Sequence, residues 1–182
     1  MRIALFGGSF NPPHVAHQMV ALYVLETAPV DGLWFVPCFR HPFDKPLAPF
    51  EDRFVMCERA VVALGSRVRV SDIERDIGGE SRTLRTVRRL QALHPEHAFS
   101  LVIGGDLVAE VPTWYGGAEL QASVPFVVVG RGGAGPGAGR GAVAMPEVSS
   151  TEVRQALRDG KSVEGLVPRA VLDYIYERGL YK

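Results

Sequence analysis

The chain of 182 residues is 47% hydrophobic and 22% charged, the balance of an ordinary globular protein with length enough to bury a core in one domain. Its 20 Lys and Arg match its 20 Asp and Glu, which speaks against the broad basic footprint of a nucleic-acid-binding domain. No apolar run reaches ~18 residues and the N-terminus lacks a signal-peptide pattern, so neither a membrane span nor export is expected.

In chain order, Arg2-Ile3-Ala4-Leu5-Phe6 is an apolar run ended by Gly7 and Gly8, and it reads as a short buried strand. Asn11 is placed to cap a helix whose first turn tolerates Pro12 and Pro13, because N–H groups there lack intrahelical partners; the helix runs from His14 to about Leu25. Leu33 to Val36 predicts a second strand closed by Pro37, and Arg40 to Pro49 a proline-punctuated loop. Phe54, Val55, Ala60, Val61 and Leu64 mark one helical face over Phe50 to Leu64, and Arg67 to Val70 alternates as a strand. Thr83 to Leu93 carries Leu84, Val87, Leu90 and Leu93 at helical spacing, with Ser81 or Thr83 as its cap. Phe99 to Ile103, stopped by Gly104-Gly105, and Phe126 to Val129 are further strands; Ser149 to Arg158 and Arg169 to Arg178 are the closing helices. Strands alternating with helices predict an α/β fold whose parallel sheet is covered on both faces, with ligands beyond the carboxyl ends of the strands. That puts Gly7 to His17, the Arg40–Pro49 loop, Gly104 to Asp106 and Arg131 on one rim.

The first strand, its glycine turn and the helix behind it form the arrangement that aims free backbone N–H groups and a positive dipole end at an anion, usually a phosphate. One histidine beside a helix start is usually a cap or a surface residue. His14 and His17, three apart, lie on one face of the first turn at that same end, and together they read as a phosphate site. Zinc is the competing chemistry, but neither Cys38 nor Cys57 has a metal-like spacing to a partner. The two cysteines also form no disulfide scaffold and read as free thiols in a reducing cytoplasm. Gly130 to Gly141 is interrupted by a proline and followed by no clear helix, so it reads as a flexible surface loop rather than a dinucleotide fingerprint. Further on, Ser149 or Ser150 begins a helix with Glu152 in its first turn and Arg154 one turn along, which taken alone is a capping box.

Gly7-Gly8-Ser9-Phe10-Asn11-Pro12-Pro13-His14-Val15-Ala16-His17 resembles the signature of the nucleotidyltransferase superfamily, G-G-T/S-F-D/N-P-x-H-x-G-H, with Ala16 where glycine is usual. Val148-Ser149-Ser150-Thr151-Glu152-Val153-Arg154 is similar to the I-S-S-T-x-I/V-R motif of the same superfamily. In between, Ser81-Arg82-Thr83-Leu84-Arg85-Thr86-Val87 resembles the S-Y-T-x-x-T-L segment of bacterial nicotinate-nucleotide adenylyltransferases. Ile103-Gly104-Gly105-Asp106 and Pro112-Thr113-Trp114 resemble their I-G-x-D and P-T-W segments, and the tail from Leu166 to Tyr181 resembles their ending. The resemblance covers nearly the whole chain and implies a Rossmann-like, doubly wound parallel sheet in a single domain, residues 1–182.

What the resemblance implies chemically is transfer of the adenylyl group of ATP to the 5′-phosphate of nicotinate mononucleotide, giving deamido-NAD and pyrophosphate. It assigns catalysis to His14, His17, Lys45 and Arg154, acting as cationic stabilisers. ATP is expected against Gly8, Ser9, Phe10, His14, His17, Gly104, Asp106, Ser149, Ser150, Thr151 and Arg154. Nicotinate mononucleotide is expected against Lys45, Thr83, Trp114, Tyr115 and Arg131. Mg2+ would be held mainly by phosphates, so no protein metal ligands are expected. The family's P-P-H-K loop is here His41-Pro42-Phe43-Asp44-Lys45, which leaves open whether His41 or Lys45 meets phosphate. Acid over amide would be read by backbone N–H groups near Thr83 and Tyr115, with no Lys or Arg beside Trp114, since Arg82 and Arg85 are taken to face elsewhere. Alternatives are a related adenylyltransferase with nicotinamide mononucleotide or phosphopantetheine as acceptor, or a non-catalytic nucleotide-binding module. No nucleic-acid partner is expected, and a homo-oligomer stays open.

Overall fold

Residues Arg2–Gly8 (β1), Gly32–Pro37 (β2), Val68–Val70 (β3), Ala98–Gly104 (β4) and Phe126–Val129 (β5) pair into one all-parallel sheet of order β3-β2-β1-β4-β5. The structure is a computed structural model that describes residues 1–43, 45–130 and 145–182. Around the sheet lie helices Val15–Thr27 (α1), Phe50–Val61 (α2), Ile73–Ile77 (α3), Thr83–Leu93 (α4), Gly117–Ser123 (α5), Ser150–Arg158 (α6) and Arg169–Arg178 (α7). The expected doubly wound sheet is present.

Period-two alternation decides which side chains meet which helices. Ile3, Leu5, Trp34, Val36, Phe99, Leu101 and Ile103 share one cluster with Leu84, Val87 and Leu90 of α4 and Leu120 of α5. Ala4, Leu33, Phe35 and Val102 face the other way and meet Ala21, Val24 and Leu25 of α1 and Cys57 and Val61 of α2. A third cluster joins Met56 and Ala60 of α2 to Val153 of α6 and to Val171, Leu172 and Ile175 of α7. Each fully buried aliphatic side chain contributes roughly 1.5–3 kcal/mol, so the helical stripe of α4 alone fixes that helix firmly on the sheet.

From β1 the chain winds to β2 and β3 on one side; β4 and β5 lie on the other. The winding therefore reverses between β1 and β4, and the crevice at their carboxyl ends is where a doubly wound sheet receives a ligand. Register brings Gly8 opposite Pro37, and Gly104 opposite Val129, on that rim.

Several expected boundaries shift. His14, not Asn11, is the N-cap of α1, because Asn11 is buried and spends its amide on distant chain. The cap of α4 is Arg82, without a side-chain cap bond; Ser81 instead accepts from the Phe39 N–H at 2.9 Å. The helix from Phe50 ends in a 3-10 turn, Val62–Leu64. Helices α3 and α5 and a 3-10 stretch, Gly105–Thr113, have no counterpart in the sequence reading, since five to nine residues show too little periodicity to register. The expectations for Arg131 and for the loop beyond Gly130 lie outside the described residues.

Candidate active site

The glycine turn after β1 is shaped by Phe10, whose φ of 45° lies in the left-handed region that costs a non-glycine residue about 1 kcal/mol or more. That conformation tucks the ring into the core, where it meets Phe6, Phe35 and His17, with its centroid 4.9 Å from the His17 ring. A Cβ on Gly8 would lie 3.0 Å from the Phe10 ring, so glycine there follows from the tuck. Phe10 is therefore a brace beneath His17, with its ring buried and only its backbone left toward the rim.

His17 Nδ1 accepts from the His14 backbone N–H at 3.1 Å, and the two rings lie 3.8 Å apart. With Nδ1 taken up by this bond, Nε2 is the ring nitrogen left to donate outward. Ala16, buried in the first turn of α1, has its methyl covered by protein rather than standing on the open rim.

The Ser149–Arg154 motif lies against the glycine-turn motif. Ser150 Oγ donates to the Pro12 carbonyl at 2.9 Å, and Arg154 Nη1 donates to the Asn11 carbonyl at 2.7 Å. Ser149 caps α6 in a reciprocal box: its Oγ accepts from the Glu152 N–H, and the Glu152 carboxylate accepts from the Ser149 N–H. Two helix N-termini, α1 and α6, thus converge with a guanidinium on one edge, an arrangement that suits a polyphosphate. Asn11 is the knot between them. Its Oδ1 accepts from the Ala48 N–H at 3.1 Å and from the Tyr181 hydroxyl at 2.8 Å.

Arg53 is the functional-edge residue that sequence reading missed. It is only 1% exposed and donates to the carbonyls of Ala48 (2.9 Å), Ser9 (3.0 Å) and Phe39 (3.2 Å). One buried cation so joins the glycine turn to both ends of the 39–48 segment. The available signal was an arginine at the buried positions of a helix face, which a solvated charge would avoid.

Beside it, Arg40, His41, Lys45 and Phe50 line an open cleft of about 370 Å³. Burial, and then the charges of Lys45 and Arg53, hold the His41 imidazole below its ordinary value, so near neutral pH Lys45 is the cation of the pair. Lys45 is exposed on that cleft. Burial also pushes up both thiols, Cys38 and Cys57, which keeps them protonated and unreactive.

At the carboxyl end of β4, Gly104 lies under the Asp106 carboxylate, which a Cβ would overlap. The 3-10 stretch then leads to Trp114, half-buried against the α4 cluster, and to Tyr115, 50% exposed. Gly116, at φ +64°, sits directly on Leu84 of α4, so the chain folds back over the first turn of that helix. In consequence the guanidinium carbons of Arg82 and Arg85 stand 5.7 and 5.2 Å from the Tyr115 ring centroid. The expectation that both arginines face away from this corner is corrected: the fold-back at Gly116 carries Tyr115 to them. Thr83, the first residue of α4, lies between the two arginines in sequence.

Among the described residues one group, His94, Glu96 and His97, brings three donor atoms within 4.8 Å of one another. It precedes β4 and so lies at the opposite edge of the sheet from the rim. No helix among the described residues is long and apolar enough to cross a membrane.

Comparison with known proteins bears on the family and the fold. A family model described as Cytidylyltransferase-like matches residues 5–156. A protein named "Probable nicotinate-nucleotide adenylyltransferase" from Anaeromyxobacter sp. (strain K) is 48% identical, the match covering 99% of this chain and 96% of that one. One of the same name from Myxococcus xanthus (strain DK1622) is 38% identical over 100% of this chain and 95% of its own. The structure of Plasmodium falciparum nicotinic acid mononucleotide adenylyltransferase complexed with NaAD matches with a TM-score of 0.80 at 23% identity, covering 99% of this chain and 97% of that one, a likeness of fold.

Proposed function

The chain belongs to the nicotinate-nucleotide adenylyltransferase family, within the cytidylyltransferase-like group, and from that premise we propose that it transfers the adenylyl group of ATP to the 5′-phosphate of nicotinate mononucleotide, forming deamido-NAD and pyrophosphate. The observation that carries the reading is the contact of the two phosphate motifs, Ser150 on Pro12 and Arg154 on Asn11, which builds one anion-binding edge from segments 138 and 143 residues apart.

The acceptor phosphate has a second pKa of about 6 and is largely dianionic at neutral pH, so the reaction requires no general base. Catalysis is alignment and charge stabilisation. The acceptor oxygen attacks the α-phosphorus of MgATP in line, and the bond to the β-phosphate oxygen breaks. His17 donates through Nε2 to the reacting phosphates, with His14 beside it. The α6 N-terminus, Ser149 to Thr151 and Arg154 receive the growing charge of the leaving pyrophosphate. Lys45 neutralises the acceptor phosphate. Gly8, Ser9 and Phe10 approach the nucleotide through their backbone, and Gly104 and Asp106 meet the adenosine, where a carboxylate accepts from sugar hydroxyls. Thr83, Trp114 and Tyr115 hold the pyridine ring. Arg131, outside the described residues, keeps its place in this reading as an acceptor contact on the rim. Mg2+ enters with the triphosphate as part of the substrate. The reading carries a cytoplasmic location and no nucleic-acid partner.

The test is pyrophosphate release from ATP and Mg2+ against a panel of acceptors. Nicotinate mononucleotide is expected to turn over fastest. Faster turnover of nicotinamide mononucleotide or phosphopantetheine would replace the substrate assignment, and no release with any acceptor would leave a binding module.

A further inference from the structure

We propose that Arg82 and Arg85 are specificity-determining residues, a pair of guanidiniums that selects an acid over an amide on the acceptor's ring; the proposal rests on the reading of Tyr115 as a ring-side residue.

The geometry is uncommon for a surface. Arg82 caps α4 and Arg85 stands three residues on, so both project from the same side of its first turn. Both guanidinium carbons lie within 6 Å of one Tyr115 ring, a face that is itself half in solvent. Like charges brought to one aromatic group repel each other; the first turn of α4 holds no acidic residue, and Glu80 just before it offsets the charge of Arg82 alone. Glu80 pairs with Arg82 at 2.6 Å, and further along the helix Arg88 is taken up by Glu119. Arg85 remains turned to Tyr115. An anion arriving beside that ring relieves the repulsion, and a planar carboxylate fits the fork of a guanidinium; a neutral amide does neither.

Arg82 also stands where the segment it resembles has tyrosine, S-Y-T. This chain therefore adds charge to a corner that, in the sequence reading, was served by backbone N–H groups alone. The arginines need not touch the reacting atoms. They lie at the far end of the acceptor from the phosphate edge and act on which mononucleotide is held, not on how fast the adenylyl group moves once it is held.

The experiment is kcat/KM for nicotinate and nicotinamide mononucleotide, at saturating ATP, in the wild type and in Arg82→Met, Arg85→Met, the double variant and Arg85→Lys. Methionine keeps the apolar stem and removes the charge. The acid's kcat/KM is expected to fall about five- to tenfold per arginine removed, through KM, while the amide's stays unchanged. Lysine at 85, which keeps the charge without the planar fork, should restore part of the loss, and raising salt should weaken the wild type's acid preference more than the double variant's. An equal fall for both substrates would mean that the arginines merely support Tyr115, and an unchanged acid-to-amide ratio would mean that they read nothing; either overturns the proposal. Failure of the functional reading is separate: a wild type that turns over neither mononucleotide refutes the reaction itself, before any variant is compared.

Discussion

Around Asn11 the chain is held from four sides: by Arg154 and Ser150 of α6, by Tyr181 near the C-terminus, by the Ala48 backbone, and by Arg53 through the neighbouring Ser9. Around Tyr115 the supports are fewer and outward: two guanidiniums over a half-exposed ring, and a short 3-10 stretch leading into it. The first region is buried and cross-braced, and the second is a surface laid over a helix start. The difference matches the two tasks proposed for them. Stabilising charge on a transferring phosphoryl group demands donors that do not reorganise, whereas telling one acceptor ring from another needs a few groups placed at its edge.

The largest expected effect tests the braced region. His17→Ala should lower kcat by about 10²-fold or more with little loss of fold, the melting temperature falling by no more than the few degrees that loss of its cap bond costs, because one positioned donor at a developing charge is worth about 3 kcal/mol. A variant within about threefold of wild type would return His17 to the role of a helix cap.

Arg53→Met asks whether the bracing is energetic. The side chain leaves three buried carbonyls without their donor, so stability should drop by about 3 kcal/mol and the melting temperature by roughly 6–12 °C. If urea unfolding shows less than about 1 kcal/mol, the edge is held by its remaining ties and Arg53 is redundant.

The exposed corner should respond in binding instead. Thr83→Val and Trp114→Ala are expected to raise KM for nicotinate mononucleotide roughly tenfold while leaving KM for ATP nearly unchanged. Equal damage to both constants would show that these residues support the fold, which for Trp114 is the stake set by its packing on the α4 cluster.

The smallest effect lies between the regions, at His41. Its folded-state value is held below the ordinary 6.5, so under that pH the unfolded chain takes up a proton that the folded chain resists. The contribution to stability is complete above about 6.5 and declines as pH falls below it. His41→Gln should flatten that limb of the stability curve; an unchanged slope in thermal unfolding between pH 5 and pH 7 would assign it to other groups.

Much of the fold was legible because its signals are local. Four of the five strands announce themselves as short apolar runs with a glycine or proline stop, β3 by its alternation, and α4 by Leu84, Val87 and Leu90, which all end in one cluster. Likewise the glycine turn and His14 with His17 are contiguous, as is the Ser149–Glu152 box. What escaped was short or long-range. Helix α3 spans five residues, too few for a period to show. Arg53 looked like one more charge on an amphipathic helix until the carbonyls of three separate segments closed around it.

By itself, then, the sequence determined the alternation of strands and helices, the two motifs at helix starts that the functional proposal rests on, and the family, since these follow from residue order and spacing within a dozen positions. Only the tertiary structure decided that Arg154 reaches across 143 residues to Asn11, that Tyr181 reaches across 170 to the same side chain, and that Gly116 folds Tyr115 onto Arg82 and Arg85. Those contacts depend on how the sheet and its layers are packed, and side-chain direction at that distance is set by burial and backbone hand rather than by neighbours in the chain.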